Sequence, residues 1–311
     1  MKLVSVRKKK YITTEMKGTQ DNLATIPIGN DNADDIDEST LFLAETQFQG
    51  HIVKALFEII KASITDTNLR ISKDSIVIKS MDVSHTVLIH AHLNREGLDK
   101  YFIDIEDEDA ELRVGLNVKS LYTQIKTLNR DEILTLFIDK EKTNRIGIRV
   151  WAAGDPNIPG SSWVTERYLS LLDVNEEELA IDEHEYKLHV NIPADRFQKF
   201  CRELKNVPTE NISIIHKDNT LILEAKGDDC GQRTSIPLNY GDDGSYVGDS
   251  NREDYHGSFS LARLSEFSKL NVLSNTVQLS MRSEHPLIMY CPVGEMGGLK
   301  ICIAPNVESD D

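Results

Sequence analysis

Four short amphipathic stretches recur at matched intervals along the 311-residue chain, and this repeat restricts the available folds more than any other feature. They are 50–62 (GHIVKALFEIIKA), 117–128 (NVKSLYTQIKTL), 195–206 (DRFQKFCRELKN) and 260–271 (SLARLSEFSKLN). The first and third begin 145 residues apart, the second and fourth 143. Apolar residues at three- and four-residue spacing predict helices with one buried face: Ile52, Val53, Leu56 and Ile60; Leu121, Ile125 and Leu128; Phe197, Phe200, Cys201 and Leu204; Leu261, Leu264 and Phe267. Alternating apolar and polar segments follow each one. In 69–79 the alternation turns around Lys73-Asp74-Ser75, and in 211–224 around Lys217-Asp218-Asn219, the pattern of half-buried strands joined by tight turns. Four β-α-β-β-β units in two similar halves follow, a fold of the α+β class.

Charge adds a second constraint. Asp and Glu number 51 against 35 Lys and Arg, a formal net charge of −16. A binder of nucleic acid over its whole surface is normally basic, so any such contact here has to be gathered on one face. The outward faces of the four helices supply candidates: Lys54 and Lys61, Lys126, Lys199, Arg202 and Lys205, Arg263 and Lys269. Helices sharing one surface would make it locally positive inside a negative molecule. No base-reading element accompanies them, so the contact would be independent of sequence.

Other chemistry is sparse. Cys201, Cys230, Cys291 and Cys302 form no CxxC pair, which argues for a reducing compartment and against structural zinc. No GxSxG, Walker A, HExxH or GxGxxG pattern occurs, so no enzyme, cofactor or metal is expected. His184 and His189, five apart on a strand, point to opposite faces. The loop 242–253 has EF-hand-like ends but Tyr246 and Val247 at its fifth and sixth positions. No apolar run approaches the ~20 residues that span a bilayer. Residues 1–40, basic then acidic and without apolar period, read as a disordered leader. Its run Arg7-Lys8-Lys9-Lys10 reads as a nuclear import signal or a solvated tail.

Three further segments carry a family resemblance. Residues 80–93 (SMDVSHTVLIHAHL) with 95–101 (REGLDKY), 171–186 (LLDVNEEELAIDEHEY), and 277–290 (VQLSMRSEHPLIMY) with 295–311 resemble, in order and spacing, the proliferating cell nuclear antigen family of DNA sliding clamps. The resemblance runs from Leu41 to Asp311. It implies a DNA-clamp fold with an N-terminal clamp domain at 41–167, an interdomain connecting loop at 168–186 and a C-terminal domain at 187–311. Three copies would close head to tail, with helices lining a channel around duplex DNA and sheets outside. Lys54, Lys61, Lys126, Lys199, Arg202 and Lys269 fall at positions basic in the family, with Lys205 added from helix spacing, while Ala55 and Thr123 stand where lysine is common.

The same resemblance implies a pocket for short peptides of DNA polymerase and other replication and repair factors. It would be built from Met81, His85, Leu179, Ile181, Pro286, Leu287, Ala304 and Pro305. Edge strands around Arg167, Tyr168, Leu169 and Leu171, and around Thr234, Ile236 and Leu238, would pair between subunits. An ATP-driven loader would come from another protein, and the site of action would be the nucleus or a cytoplasmic viral replication site. The alternatives are a subunit of a heterotrimeric checkpoint-type clamp and a non-ring processivity factor held by charge alone.

Overall fold

The computed structural model describes residues 11–12, 36–107, 109–152, 162–175, 185–238 and 254–306. In chain order the first half holds β1 (Tyr11–Ile12), β2 (Thr40–Thr46), α1 (Gly50–Ile60), β3 (Asp66–Ile71), β4 (Ser75–Met81), β5 (Val87–Asn94), β6 (Lys100–Ile103), β7 (Glu111–Asn117), α2 (Val118–Ile125), β8 (Ile133–Asp139), β9 (Arg145–Ala152) and β10 (Trp163–Ser170). The second holds β11 (Leu188–Pro193), α3 (Ala194–Leu204), β12 (Asn211–Lys217), β13 (Thr220–Lys226), β14 (Gly231–Pro237), β15 (Tyr255–Ser260), α4 (Leu261–Glu266), β16 (Thr276–Met281), β17 (Leu287–Val293) and β18 (Gly297–Ile303). The four expected β-α-β-β-β units are therefore present, the first carrying β6 as an extra strand.

Three sheets result. A central sheet runs β1-β7-β3-β4-β5-β18-β17-β16-β11 and crosses from one half to the other where β5 pairs with β18. A five-stranded sheet, β10-β9-β8-β2-β6, flanks the first half, and a four-stranded one, β14-β13-β12-β15, flanks the second. Strict alternation of buried and half-exposed residues in β4, β5 and β17 places Ile76, Ile78, Val87, Ile89, Leu287 and Met289 in a core shared with the helices. The β12–β13 hairpin closes through Asp218 and Asn219, both at left-handed φ, as a two-residue turn with the strands' own twist requires.

The structure bears on three expectations. The fourth helix is not continuous over 260–271: α4 ends at Glu266, and a tight 3-10 turn covers Leu270–Val272. The cause lies in the spacing. Leu261, Leu264, Phe267, Leu270 and Leu273 are all buried and recur every third residue, so a 3.6-residue helix would rotate the last of them out of the core. Within the segment expected to be a leader, Tyr11–Ile12 lies parallel to Glu111–Leu112 at the edge of the central sheet, and Thr40 already opens β2. Residues 1–10 and 13–35 lie outside the described residues. The connecting segment starts after Ser170, and its first residues are pinned rather than loose. Leu172 N donates to the Gly115 carbonyl at 2.8 Å, and Asn68 Nδ2 to the Val174 carbonyl at 2.8 Å.

Two ion pairs cross between the halves, Lys269 Nζ to Glu58 Oε1 at 2.6 Å and Arg263 to Asp82 Oδ2 at 2.9 Å. The Lys269 hydrogen bond outweighs burial and holds the Glu58 carboxyl below its usual value. At Asp82 burial pulls upward, but Ser84, the Val87 and Thr86 amides and Arg263 together hold it down. A carboxylate with a lowered folded-state pKa stabilises the fold above its unfolded value, and that contribution is lost as pH falls through the folded one. Melting temperature should therefore be level above about pH 5 and decline through the acid range below about pH 4, less steeply in Glu58→Gln; an identical acid decline in that variant would contradict the role given to the pair.

Candidate functional site

The helices form one row on one side of the central sheet. α2 packs on α1, α1 on the 3-10 turn after α4, and α3 on both that turn and α4. Each of the expected cations lies on this row, in differing states. Lys126, Arg202 and Lys205 are exposed, and exposed Lys199 lies 3.6 Å from Glu203 one turn on. Lys61 sits 4.3 Å from the centre of the Tyr122 ring. Lys54 is half-buried and donates to the carbonyl of Leu128, three residues past the end of α2, while Lys269 is held by Glu58. Lys54 and Lys269 thus tie helices together as well as supplying charge.

Two further exposed cations share the row, Lys119 on α2 and Arg196 on α3. Lys119 lies seven residues before Lys126 and so on the same helix face, a signal legible in the spacing. Both stand in the first turn of their helices, where the helix dipole disfavours positive charge, so helix stability does not explain them.

A second group gathers at one end of the central sheet. Register pairs Leu287 with Ile303 and Ile303 with Val87, which brings Pro286, Ala304, Pro305 and the 82–86 turn together. Ala304 N donates to the Thr86 carbonyl at 2.8 Å. His85, exposed and at left-handed φ (56°), sets its Nδ1 3.2 Å from the sulfur of Met81. The Pro286 carbonyl accepts from the Tyr186 hydroxyl at 2.9 Å. Leu287 does not belong with these as a surface residue: it is 0% exposed, because as the first residue of β17 it faces the core. Leu179 and Ile181 lie outside the described residues.

The third group is a pair of open strand edges. β10 pairs only with β9 and β14 only with β13 among the described strands. On β10, Tyr168 is exposed, with the Arg145 guanidinium 3.8 Å from its ring, and Arg167 donates to the Gln124 carbonyl at 3.1 Å. Leu169 and Leu171 pack partly against the core. On β14, Thr234 is half-exposed, but Ile236 and, just after the strand, Leu238 are buried in this chain's own core. The alternation of the strand turns them inward, so only their main chain is offered to a neighbour.

Burial pushes the Cys201 and Cys291 thiols up to about 12, which leaves them as packing groups rather than nucleophiles. Among the described residues no three His, Cys, Asp or Glu gather as metal ligands, and no helix is long and apolar enough to cross a membrane. His184 and the loop 242–253 lie outside the described residues.

A twice-repeated α+β body, with a row of helices on one side of a sheet that runs through both halves and an open strand edge in each, defines the DNA-clamp class. Comparison with known proteins specifies it further. The family model described as proliferating cell nuclear antigen, N-terminal domain, matches residues 41–150, and that described as proliferating cell nuclear antigen, C-terminal domain, matches residues 180–306. The chain is 27% identical over 275 residues to the probable DNA polymerase sliding clamp 1 of Paramecium bursaria Chlorella virus 1, covering 86% of this chain and 98% of that one. Its fold is similar to the crystal structure of the proliferating cellular nuclear antigen of Entamoeba histolytica, with a TM-score of 0.74 and 24% identity over 86% of this chain and 100% of that one. The chain belongs to the proliferating cell nuclear antigen family and is a DNA sliding clamp, a class of non-enzymatic processivity factors in DNA replication.

Glu58 stands among the cations of the helix row and holds Lys269. Glu58→Gln should tighten binding to a labelled duplex severalfold at low salt and steepen its salt dependence by about one counterion per subunit. Unchanged affinity and slope in an anisotropy titration would remove Glu58 as a charge regulator of this face.

Proposed function

We propose that three copies of the chain close head to tail into a ring around duplex DNA and tether DNA polymerase to it. The observation that carries this reading is the pair of open antiparallel edges, β10 with eight residues in one half and β14 with seven in the other. Strands of matched length from two copies can form a continuous sheet, and a head-to-tail contact of this kind closes into a ring when its rotation is right. Closure would hide edges that otherwise invite uncontrolled pairing.

The helix row would then face the hole, presenting Lys61, Lys126, Lys199, Arg202 and Lys205, with Lys119 and Arg196 beside them. Glu58 and Glu203 interrupt the positive charge, so the grip on phosphates is diffuse and no single contact anchors the DNA, which suits sliding. Met81, His85, Pro286, Ala304 and Pro305 would receive the short peptides of polymerase and other replication and repair factors, an arrangement that raises polymerase activity through effective concentration. Ring opening would fall to an ATP-driven loader acting in trans, since the sequence carries no phosphate-binding loop motif of its own. The chain would work at a site of DNA replication, in the nucleus or in a cytoplasmic viral replication compartment.

Topological linkage is the property to test. Once loaded, the clamp should remain on a closed circular duplex and run off within seconds when the circle is cut. The double variant Lys199→Glu, Arg202→Glu should still assemble yet load and persist poorly. Equal loss from closed and cut DNA would contradict encirclement.

A further inference from the structure

The turn between β4 and β5 has two sides. Met81 and His85 face outward, toward the surface proposed to bind partner peptides. Asp82, between them in sequence, turns inward and is 4% exposed. Its Oδ1 accepts from the Thr86 and Val87 amides at 2.8 and 2.7 Å, and its Oδ2 from the Ser84 hydroxyl and from Arg263 at 2.9 Å.

Arg263 comes from α4, in the other half of the chain. Its NH2 also donates to Ser84 Oγ at 2.9 Å, and its NH1 to Glu266 Oε1 at 3.1 Å. Glu266 Oε2 in turn accepts from the Ser63 hydroxyl, just beyond α1, at 2.6 Å. One polar chain therefore runs from α1 through α4 to the inner side of the turn.

The turn needs such support. His85 sits in the left-handed region, which side-chain-bearing residues rarely adopt and keep only where the surroundings impose it. The side-chain bonds to Asp82, with the His85 amide donating to the Asp82 carbonyl at 2.9 Å, impose it, and Arg263 supplies the countercharge that lets a buried carboxylate hold its place. We infer that Arg263 is a positioning residue for the partner site, fixing from the helix side the turn that presents Met81 and His85 outward. This rests on the reading of that surface as a peptide site. It also means that the shape of the outer site is set by the same helix layer that carries Lys269.

The experiment uses the full-length chain and a fluorescein-labelled peptide bearing a glutamine with aliphatic and aromatic anchors, followed by anisotropy and stopped-flow dissociation. Arg263→Met should weaken binding at least about tenfold, chiefly through faster release, as expected when a preorganised site loosens. Arg263→Lys should recover part of the loss, because an ammonium reaches Asp82 but cannot bridge Ser84 and Glu266 together. Ser84→Ala removes one hydroxyl without touching the core and should cost about two- to threefold, which keeps the test open should the Met variant fold poorly. Wild-type affinity in Arg263→Met or Ser84→Ala, or a Lys variant as weak as the Met variant, would overturn the assignment. Failure of the wild-type chain to bind the peptide at all would instead remove the peptide-site reading on which it stands.

Discussion

The antiparallel seam between β5 and β18 is the contact on which the rest of the structure depends. Seven residue pairs, from Val87↔Ile303 to Leu93↔Gly297, join the two halves into one sheet. Its inner face buries Val87, Ile89, Leu299, Ile301 and Ile303 completely. Burial of each such side chain is worth about 1.5–3 kcal/mol, against about 0–1 kcal/mol for a partly exposed ion pair such as Lys269–Glu58. The apolar seam therefore holds the halves together, and the ion pairs across it adjust rather than carry the joint. With the seam in place, all four helices fall on one side, the 82–86 turn meets Pro286 and Ala304 at one end, and β10 in one half and β14 in the other lie at sheet edges among the described strands.

Much of this was legible in the sequence because it rests on local period. The alternation in 69–79 and 211–224 marks hairpins, and the apolar faces of 50–62, 117–128 and 195–206 mark helices, since burial is decided within a few residues. Where the helical stretch 260–271 departs from expectation, the reason was also present, as a three-residue rather than 3.6-residue recurrence of Leu and Phe. Other features depend on contacts remote in sequence. That Lys54 reaches Leu128, that Lys269 reaches Glu58 and that Arg263 reaches Asp82 cannot be read from helix faces, which show a cation as exposed whatever lies opposite it. Leu287, Ile236 and Leu238 likewise looked available for contact and are buried. Family resemblance places a residue along the chain; strand alternation decides which way it points.

The charge distribution fits a protein that must stay on DNA without stopping on it. A net charge of −16 repels nucleic acid from most of the surface, and the cations of the helix row are diluted by carboxylates within the same row. In the proposed ring, retention comes from topology rather than affinity. Topology in turn rests on the two open edges finding each other in separate copies, so assembly is the claim that bears the most weight.

That claim is met most directly by the solution mass of the purified chain, measured by light scattering on a sizing column over a wide dilution range. A mass of three subunits that holds on dilution is the result expected of a closed ring. A stable monomer or dimer at every concentration would contradict it.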